Sequence, residues 1–167
     1  MRDYKQNIRI CIFIPNLCVS PQYRDWDSSL NLVMAEILMV IKFFLLQNQT
    51  GNKVAIVGNG RCDTQPTFSV SVEGALQNLP KVVIQIKTND TSSVQISQSV
   101  SFSKWISLVI VKTESDIRVK LDKNPEVIHP AGKVERHDCA FGVGNMTNMT
   151  NLVGYVKDFY FAKCLDN

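Results

Sequence analysis

The stretch from residue 102 to residue 126 reads Phe-Ser-Lys-Trp-Ile-Ser-Leu-Val-Ile-Val-Lys-Thr-Glu-Ser-Asp-Ile-Arg-Val-Lys-Leu-Asp-Lys-Asn-Pro-Glu. Its first part, Trp105 to Val111, combines tryptophan with β-branched residues, a composition that favours a strand. Turn-forming residues follow, and Ile117 to Leu121 then alternates apolar with charged side chains, the period-2 pattern of a half-buried strand. Pro125 cannot donate a hydrogen bond to a β-ladder, so it ends the second strand. The stretch therefore predicts a β-hairpin.

Similar short apolar segments recur along the whole chain, separated by turn-forming residues at intervals of roughly 8–14 residues. We predict about ten or eleven strands on this pattern. The first is Asn7 to Ile14, where isoleucines alternate with other residues. The longest is Val33 to Leu46, which we expect to be broken or bulged, with a short helix as the alternative. Short strands at this spacing, without alternating helices, indicate an antiparallel sandwich or barrel.

Size and composition are those of one globular domain. The chain has 167 residues, of which 45% are hydrophobic, enough for a single core. We place residues 1–29 at the edge of the domain, as an opening strand and loop, and residues 30–167 in the sandwich proper. The net charge of +3 is scattered, so we predict no nucleic-acid partner. The apolar run from Leu30 to Leu46 is too short and contains Glu36 and Lys42, so we predict no membrane span.

The cysteines and the glycosylation sequons bear on the cellular compartment. The five cysteines are an odd number, and no two have the Cys-x-x-Cys spacing of a zinc or redox site. Sequons begin at four asparagines, and we take them as candidate glycosylation sites: Asn48, Asn89, Asn145 and Asn148. The N-terminal segment is a poor secretory signal because only Ile8 to Ile14 is apolar. We predict an extracellular or cell-surface location, with a cytoplasmic place in a large structural assembly as the alternative.

The order of motifs resembles that of the laminin-G-like and concanavalin A-like lectin/glucanase superfamily. A tryptophan begins an apolar strand, a charged strand follows, a Phe-Gly-Val-Gly segment comes next, and the last apolar segment begins Gly-Tyr-Val-Lys-Asp-Phe-Tyr-Phe. The residues at matching places are Trp105, Asp122, Gly142 or Gly144, Gly154, Val156 and Asp158. One departure is Asp122-Lys-Asn, where Asp-Gly is usual. The resemblance is clearest from Phe68 to Leu165 and implies an all-β, antiparallel jelly-roll β-sandwich.

The resemblance also implies features that the composition does not show. Many laminin-G-like domains carry a late disulfide, and Cys139 and Cys164 are the matching candidates, with two reduced thiols as the alternative. Some members bind calcium at the rim of the sandwich through aspartates. Four loop aspartates are available here, without assigned ligand roles: Asp63, Asp90, Asp116 and Asp138. We therefore predict no cofactor, and calcium stays open.

The resemblance implies a non-catalytic interaction module that contacts other protein subunits in an adhesive or structural assembly. A glucanase of this superfamily would need paired carboxylates on one strand, and the chain has no Glu-x-Asp-x-x-Glu pattern. It also has no Gly-x-Ser-x-Gly for acyl transfer, so we predict that it is not an enzyme. The alternatives are a lectin-like carbohydrate-binding domain and an intracellular structural component of a large complex.

Exposed aromatics beside polar loop residues would bind a sugar. The best such cluster in the sequence is Tyr23, Asp25, Trp26 and Asp27. Trp105, in contrast, is predicted to be a core anchor. The strand that it begins is apolar on both faces, so we expect the second face to be covered by the N-terminal segment or by a partner.

Overall fold

The computed structural model of the chain describes residues 11–12, 37–59, 66–89, 93–135 and 142–163, with the backbone alone at residues 11, 12, 162 and 163. These ranges contain strands and turns and no helix, hence no helix long and apolar enough to cross a membrane. The strands are β1 (Cys11–Ile12), β2 (Ile37–Leu45), β3 (Lys53–Gly58), β4 (Phe68–Glu73), β5 (Lys81–Lys87), β6 (Ser93–Ser99), β7 (Trp105–Lys112), β8 (Asp116–Leu121), β9 (Val127–Pro130), β10 (Gly142–Val143) and β11 (Gly154–Lys163).

The strands form two sheets that pack face to face. The six-stranded sheet has the order β1-β11-β2-β7-β8-β9, and the five-stranded sheet has the order β10-β3-β4-β5-β6. Neighbouring strands are antiparallel, as predicted, with the one exception that β1 pairs in parallel with β11 over Cys11 and Ile12. Of residues 1–29, only Cys11 and Ile12 lie within the described ranges, so the division at residue 29 stays a prediction.

The predicted hairpin lies in the middle of the six-stranded sheet. In β7, Ile106, Leu108 and Ile110 point into the core and are fully buried. The charged residues of β8 alternate with Ile117, Val119 and Leu121, which are also buried. The burial of apolar surface between the two sheets supplies most of the stabilisation, because each fully buried aliphatic side chain contributes about 1.5–3 kcal/mol.

The long strand is more regular than predicted over its described residues. Within the described ranges, β2 is one unbroken strand whose residues pair in register with β7 from Ile37 to Phe44, and no helix replaces it. The irregularity lies in its other neighbour, β11, where the register shifts between Lys157 and Tyr160. The bulge lengthens β11 relative to β2 there, and Asp158 has a left-handed φ of 51°. A bulge of this kind twists the strand and redirects a side chain.

Five connections meet at one end of the sandwich, which we call the loop end: 46–52, 74–80, 100–104, 122–126 and 144–153. Backbone hydrogen bonds tie four of them to each other or to strand ends: Val100 N to Pro80 O (3.0 Å), Ser103 N to Leu45 O (2.8 Å), Leu46 N to Val153 O (3.1 Å) and Thr150 N to Lys53 O (3.0 Å). The 122–126 connection is bonded to β7 instead, through Asp122 N and Ser107 O (2.8 Å).

The side chain of Gln49 fastens two of these connections to each other. It is buried, and its Nε2 donates to the carbonyl oxygens of Leu46 (2.7 Å) and Val153 (2.6 Å). Its Oε1 accepts from the backbone N–H of Val153 at 3.1 Å. One amide side chain thus satisfies a donor and two acceptors of the 46–52 and 144–153 connections, at positions that have no regular β-ladder.

Candidate ligand-binding face

Three aromatic side chains lie side by side on the outer face of the six-stranded sheet, next to the loop end. The strand register puts Phe44 of β2 opposite both Trp105 of β7 and Tyr155 of β11. The ring centroids of Phe44 and Trp105 are 5.6 Å apart at 63°, and those of Phe44 and Tyr155 are 6.0 Å apart at 56°. Trp105 is 41% exposed and Tyr155 is 49% exposed. We call these three residues the aromatic row.

The prediction that Trp105 is a core anchor is wrong. Because side chains alternate along a strand, Ile106 takes the first inward position of β7 and Trp105 points outward. The core at this level is filled by Phe43 of β2, which pairs with Ile106. Trp105 therefore contributes a large apolar surface to the outside of the sheet.

Two lysines stand directly opposite each other beside the aromatic row. Lys42 of β2 pairs in register with Lys157 of β11, an arrangement that would be repulsive without compensation. The Nζ of Lys42 lies 3.3 Å from Oδ2 of Asp158, the residue at the bulge. The Nζ of Lys157 lies 4.0 Å from the ring centroid of Trp105, so its charge is attracted to the face of the indole. Each ammonium thus has its own partner.

The turn after β8 supports the position of the aromatic row. Asp122 adopts a left-handed φ of 51°, and its backbone N–H donates to Ser107 O at 2.8 Å. Its Oδ1 accepts from Ser107 N at 2.7 Å, so the carboxylate takes the place of a backbone carbonyl at the end of the ladder. Asp122 begins the Asp-Lys-Asn segment that stands where members of the superfamily usually have Asp-Gly. Aspartate tolerates the left-handed conformation. Its side-chain hydrogen bond fixes β7 at Ser107, which is two residues after Trp105.

The rest of this outer face is less accessible. Val40 and Val111 point outward on β2 and β7, yet both are buried within the chain, and Val109 is half-buried. The predicted alternation of two apolar faces in β7 is therefore confirmed. On β2 and β7, the part of the outer face that stays open to solvent lies at the loop end, where the aromatic row is, whereas Ile128 of β9 is exposed further along the same sheet.

A second cluster of charges lies at the opposite end of β8. The guanidinium of Arg118 contacts Asp116 through Nε (3.2 Å to Oδ1) and through Nη2 (3.3 Å to Oδ2). The hydrogen bond from Arg118 is the main reason why the pKa of Asp116 lies below its ordinary value of 3.8. Thr113 and the charge of Lys112 act in the same direction, whereas partial burial opposes them. This carboxylate is engaged by an arginine, so the pair is structural.

The described residues include no group of three His, Cys, Asp or Glu side chains placed to hold a metal ion. Of the four loop aspartates considered for calcium, Asp116 is paired with Arg118, and the other three lie outside the described ranges. The predicted sugar-binding cluster of Tyr23, Asp25, Trp26 and Asp27 and the predicted disulfide of Cys139 and Cys164 also lie outside them. Both therefore stay predictions.

The four sequon asparagines are all exposed: Asn48, Asn89, Asn145 and Asn148. The first and the last two lie on loop-end connections that are hydrogen-bonded to each other. Met146, between Asn145 and Asn148, is buried, so this polar segment is anchored to the domain. Each asparagine side chain has room for a glycan on its solvent side.

Sequence reasoning missed the partners of Trp105. Tyr155 and Lys157 are two residues apart on β11, so a period-2 pattern places them on one face. Nothing local to the sequence indicates that this face meets Phe44 and Trp105, because β2, β7 and β11 are distant in the chain and only their pairing brings these residues together.

No protein-family model matches the chain, and no curated protein matches it in sequence. Solved structures do match it. Domains LG4-5 of the mouse laminin alpha1 chain superpose with a TM-score of 0.58 at 13% identity, over 75% of this chain and 34% of that one. A native heptameric SAP-like pentraxin from Limulus polyphemus gives a TM-score of 0.53 at 12% identity, over 79% of this chain and 66% of that one.

The binding domain of botulinum neurotoxin serotype G gives a TM-score of 0.52 at 15% identity, over 80% of this chain and 34% of that one. The chain thus spans about a third of the length of the laminin and neurotoxin chains. At such identities the likeness shows the fold alone. Together with two β-sheets packed face to face, it confirms the all-β prediction. The chain has the jelly-roll β-sandwich fold of the laminin-G-like and concanavalin A-like proteins.

Proposed function

We propose that the chain is a non-catalytic binding module that contacts another protein through the aromatic row, as part of an adhesive or structural assembly. The observation that carries this proposal is the exposure of Trp105 and Tyr155 on a rigid sheet. Tryptophan and tyrosine are enriched at the centres of protein interfaces because they bury much area at a low cost in side-chain entropy. A domain on its own gains little from keeping both rings in water.

The charges around the aromatic row favour a protein partner over a sugar. Lys157 already occupies one face of the Trp105 ring. A sugar that stacked on that face would have to displace the ammonium, at a cost of about 0.5–1 kcal/mol for an exposed cation–π contact. A protein partner with a carboxylate would instead pair with Lys157 while it buried the edge of the indole. The aromatic row with its two lysines is thus suited to an apolar and acidic patch on another protein.

Carbohydrate binding is the second candidate function, and the exposure of Tyr155 supports it. Tyr155 is the more exposed of the two outer rings, and Lys42 and Asp158 lie nearby on β2 and β11 as hydrogen-bonding groups for sugar hydroxyls. The four residues Tyr23, Asp25, Trp26 and Asp27 are a separate candidate sugar site. Substituting the residues of one site at a time shows which of the two sites binds a sugar.

The proposal that the module is non-catalytic rests on the chemistry of this face. The acid beside the aromatic row, Asp158, is neutralised by Lys42 at 3.3 Å. Asp122 is engaged by the Ser107 backbone. Neither is a free carboxylate of the kind that acid–base chemistry on a bound substrate needs.

An extracellular or cell-surface location belongs to the same proposal. The exposure of Asn48, Asn89, Asn145 and Asn148 supports it, since a glycan can be carried there without disturbing the core. The predicted disulfide between Cys139 and Cys164 would fit the same compartment. The intact mass of the natural protein, before and after deglycosylation and reduction, checks both. A bare mass with five free thiols would instead favour a cytoplasmic assembly.

The proposed function is tested by screening the chain against recombinant cell-surface and extracellular-matrix proteins and, in parallel, against a glycan array. The test variant is Trp105→Ala/Tyr155→Ala. The matched control is Val127→Ala/Ile128→Ala, which removes exposed apolar side chains from β9 of the same sheet. We expect protein ligands that bind the wild type and the control but not the test variant. Ligands that bind all three chains equally would contradict the proposal.

The glycan array tests the second candidate function, carbohydrate binding. Glycans bound by the wild type and lost with Trp105→Ala/Tyr155→Ala would make the module a lectin at the aromatic row. Glycans lost only with Trp26→Ala would place sugar binding at the cluster around Tyr23. An array without any hit, with and without calcium, would remove the lectin candidate.

A further inference from the structure

Strand β6 is an edge of the five-stranded sheet, and one side of its backbone is open. Val100 N donates to Pro80 O at 3.0 Å just after the strand, so the even-numbered residues of β6 bond to β5. In an antiparallel ladder, the alternate residues direct their N–H and C=O groups away from the neighbouring strand. No other strand of the described ranges pairs with β6 on that side. The residues whose backbone groups face this open side are Ser93, Gln95, Ser97 and Ser99.

The open side of β6 has none of the features that usually protect a sheet edge. Charged side chains, prolines and bulges stop edge strands from pairing with another chain. β6 reads Ser-Val-Gln-Ile-Ser-Gln-Ser, and its ladder with β5 has no register shift over these seven residues. Strand β9, at the edge of the other sheet, differs. Ala131 N donates to Ser115 O at 2.9 Å, so Pro130 lies on the outer side of β9 and removes a donor there.

The side chains of β6 define what a strand added to this edge must look like. Val94 and Ile96 are buried on the core side, whereas Ser93, Gln95 and Ser97 are exposed on the other side. An added strand has to continue this alternation, with apolar side chains towards the core and polar side chains towards solvent. It also meets no charge on β6 by which a charged partner would be selected. A second copy of β6 has the required alternation and is itself uncharged.

We propose that two copies of the chain pair through β6, antiparallel and about a two-fold axis, so that their five-stranded sheets become one continuous sheet. With the axis at Ile96, the whole of β6 is paired. Gln95 then lies opposite Ser97 of the second copy, and Ser93 lies opposite Ser99. All four direct their backbone groups outward, so each opposite pair exchanges two hydrogen bonds. The interface uses no residue of the aromatic row, and the proposal is independent of the proposed function.

The first test is the oligomeric state of the wild type, Ser97→Pro and Ser97→Ala, measured by sedimentation equilibrium into the high micromolar range. Ser97→Pro removes an N–H group that the β5–β6 ladder does not use, and an edge strand tolerates proline at such a position. We expect the wild type to dimerise and Ser97→Pro to raise the Kd of the dimer at least about tenfold. Ser97→Ala, the matched control, keeps the backbone donor and is expected to dimerise like the wild type.

The second test uses charge to check the register of the pairing. Gln95→Lys/Ser97→Lys places lysine opposite lysine across the axis, and Gln95→Glu/Ser97→Glu places glutamate opposite glutamate, so each variant alone is expected to be a monomer. An equimolar mixture of the two variants is expected to form a heterodimer, because each lysine then lies opposite a glutamate. Such a rescue also shows that both variants are folded.

A wild type that stays monomeric throughout this range would overturn the proposal. So would a Ser97→Pro variant that dimerises as tightly as the wild type with an unchanged circular dichroism spectrum. Dimers formed by either charged variant alone would place the interface on another surface and overturn it as well. A mixture of the charged variants that stays monomeric would contradict the pairing of residues 95 and 97.

Discussion

Replacement of Gln49 by leucine is expected to destabilise the domain far more than the same replacement at an exposed glutamine. The variant removes three hydrogen bonds, to Leu46 O, to Val153 O and from Val153 N. A hydrogen bond contributes about 1 kcal/mol net, and a buried donor left without a partner costs about 1–3 kcal/mol. We therefore expect a loss of about 2–4 kcal/mol in the free energy of unfolding. For a chain of this length, that lowers Tm by roughly 4–16 °C.

The assay is urea unfolding of wild type and variant, followed by tryptophan fluorescence and by circular dichroism. Gln77→Leu is the matched control, because Gln77 is exposed on another loop-end connection. We expect it to change the unfolding free energy by less than about 0.5 kcal/mol. If Gln49→Leu costs no more than Gln77→Leu, Gln49 does not hold the two connections together.

Gln49→Glu tests the same contacts through pH. The introduced carboxylate keeps the acceptor for Val153 N, but it places negative charge against the carbonyl oxygens of Leu46 and Val153. Burial and these carbonyls are expected to raise the pKa of the introduced carboxyl group in the folded state. The variant should therefore gain stability relative to the wild type as the pH falls, because protonation restores one donor. A stability difference that does not change with pH would contradict this reasoning.

Three further outcomes are expected. Gly154→Ala should lower the unfolding free energy by about 1–3 kcal/mol, since its Cβ would overlap Phe44 O, and unfolding in urea measures the loss. Met146→Ala should cost about 2–4 kcal/mol and Met146→Leu less than about 1.5 kcal/mol, because the side chain is buried; equal costs would contradict this. Asp116→Asn should destabilise the domain at neutral pH. The lowered pKa of Asp116 stabilises the folded state above pH 3.8 and ceases to do so as the pH falls through the folded-state pKa, so the two unfolding curves should converge in acid.

The hairpin from Trp105 to Leu121 shows which structural features local sequence patterns can predict. Alternation along Ile117 to Leu121 predicted which side chains are buried, because the side-chain period of a strand is fixed by its geometry. The all-β class followed from the spacing of apolar segments and turns, and the jelly-roll class followed from the order of motifs. These features depend on the chain near each residue, and they were predicted correctly.

The candidate site depends on contacts between distant strands, and local patterns did not predict it. The sequence around Trp105 is typical of a core position, since a large aromatic side chain at the start of an apolar strand usually packs inward. Its outward orientation follows from the pairing of β7 with β2 and from the place of Phe43 in the core. The bulge at Asp158 changes which residues beyond it face outward, and no turn signal in the sequence marks it.

Whether the aromatic row is the binding surface is decided by affinity. The measurement is the Kd of a protein ligand from the screen for the wild type, for Trp105→Ala/Tyr155→Ala and for the Val127→Ala/Ile128→Ala control, by surface plasmon resonance. Removal of a central aromatic anchor costs about 2 kcal/mol or more, which corresponds to a rise in Kd of roughly 30-fold. We predict that rise for the aromatic variant and an unchanged Kd for the control. An unchanged Kd for the folded aromatic variant would show that the ligand binds elsewhere on the chain.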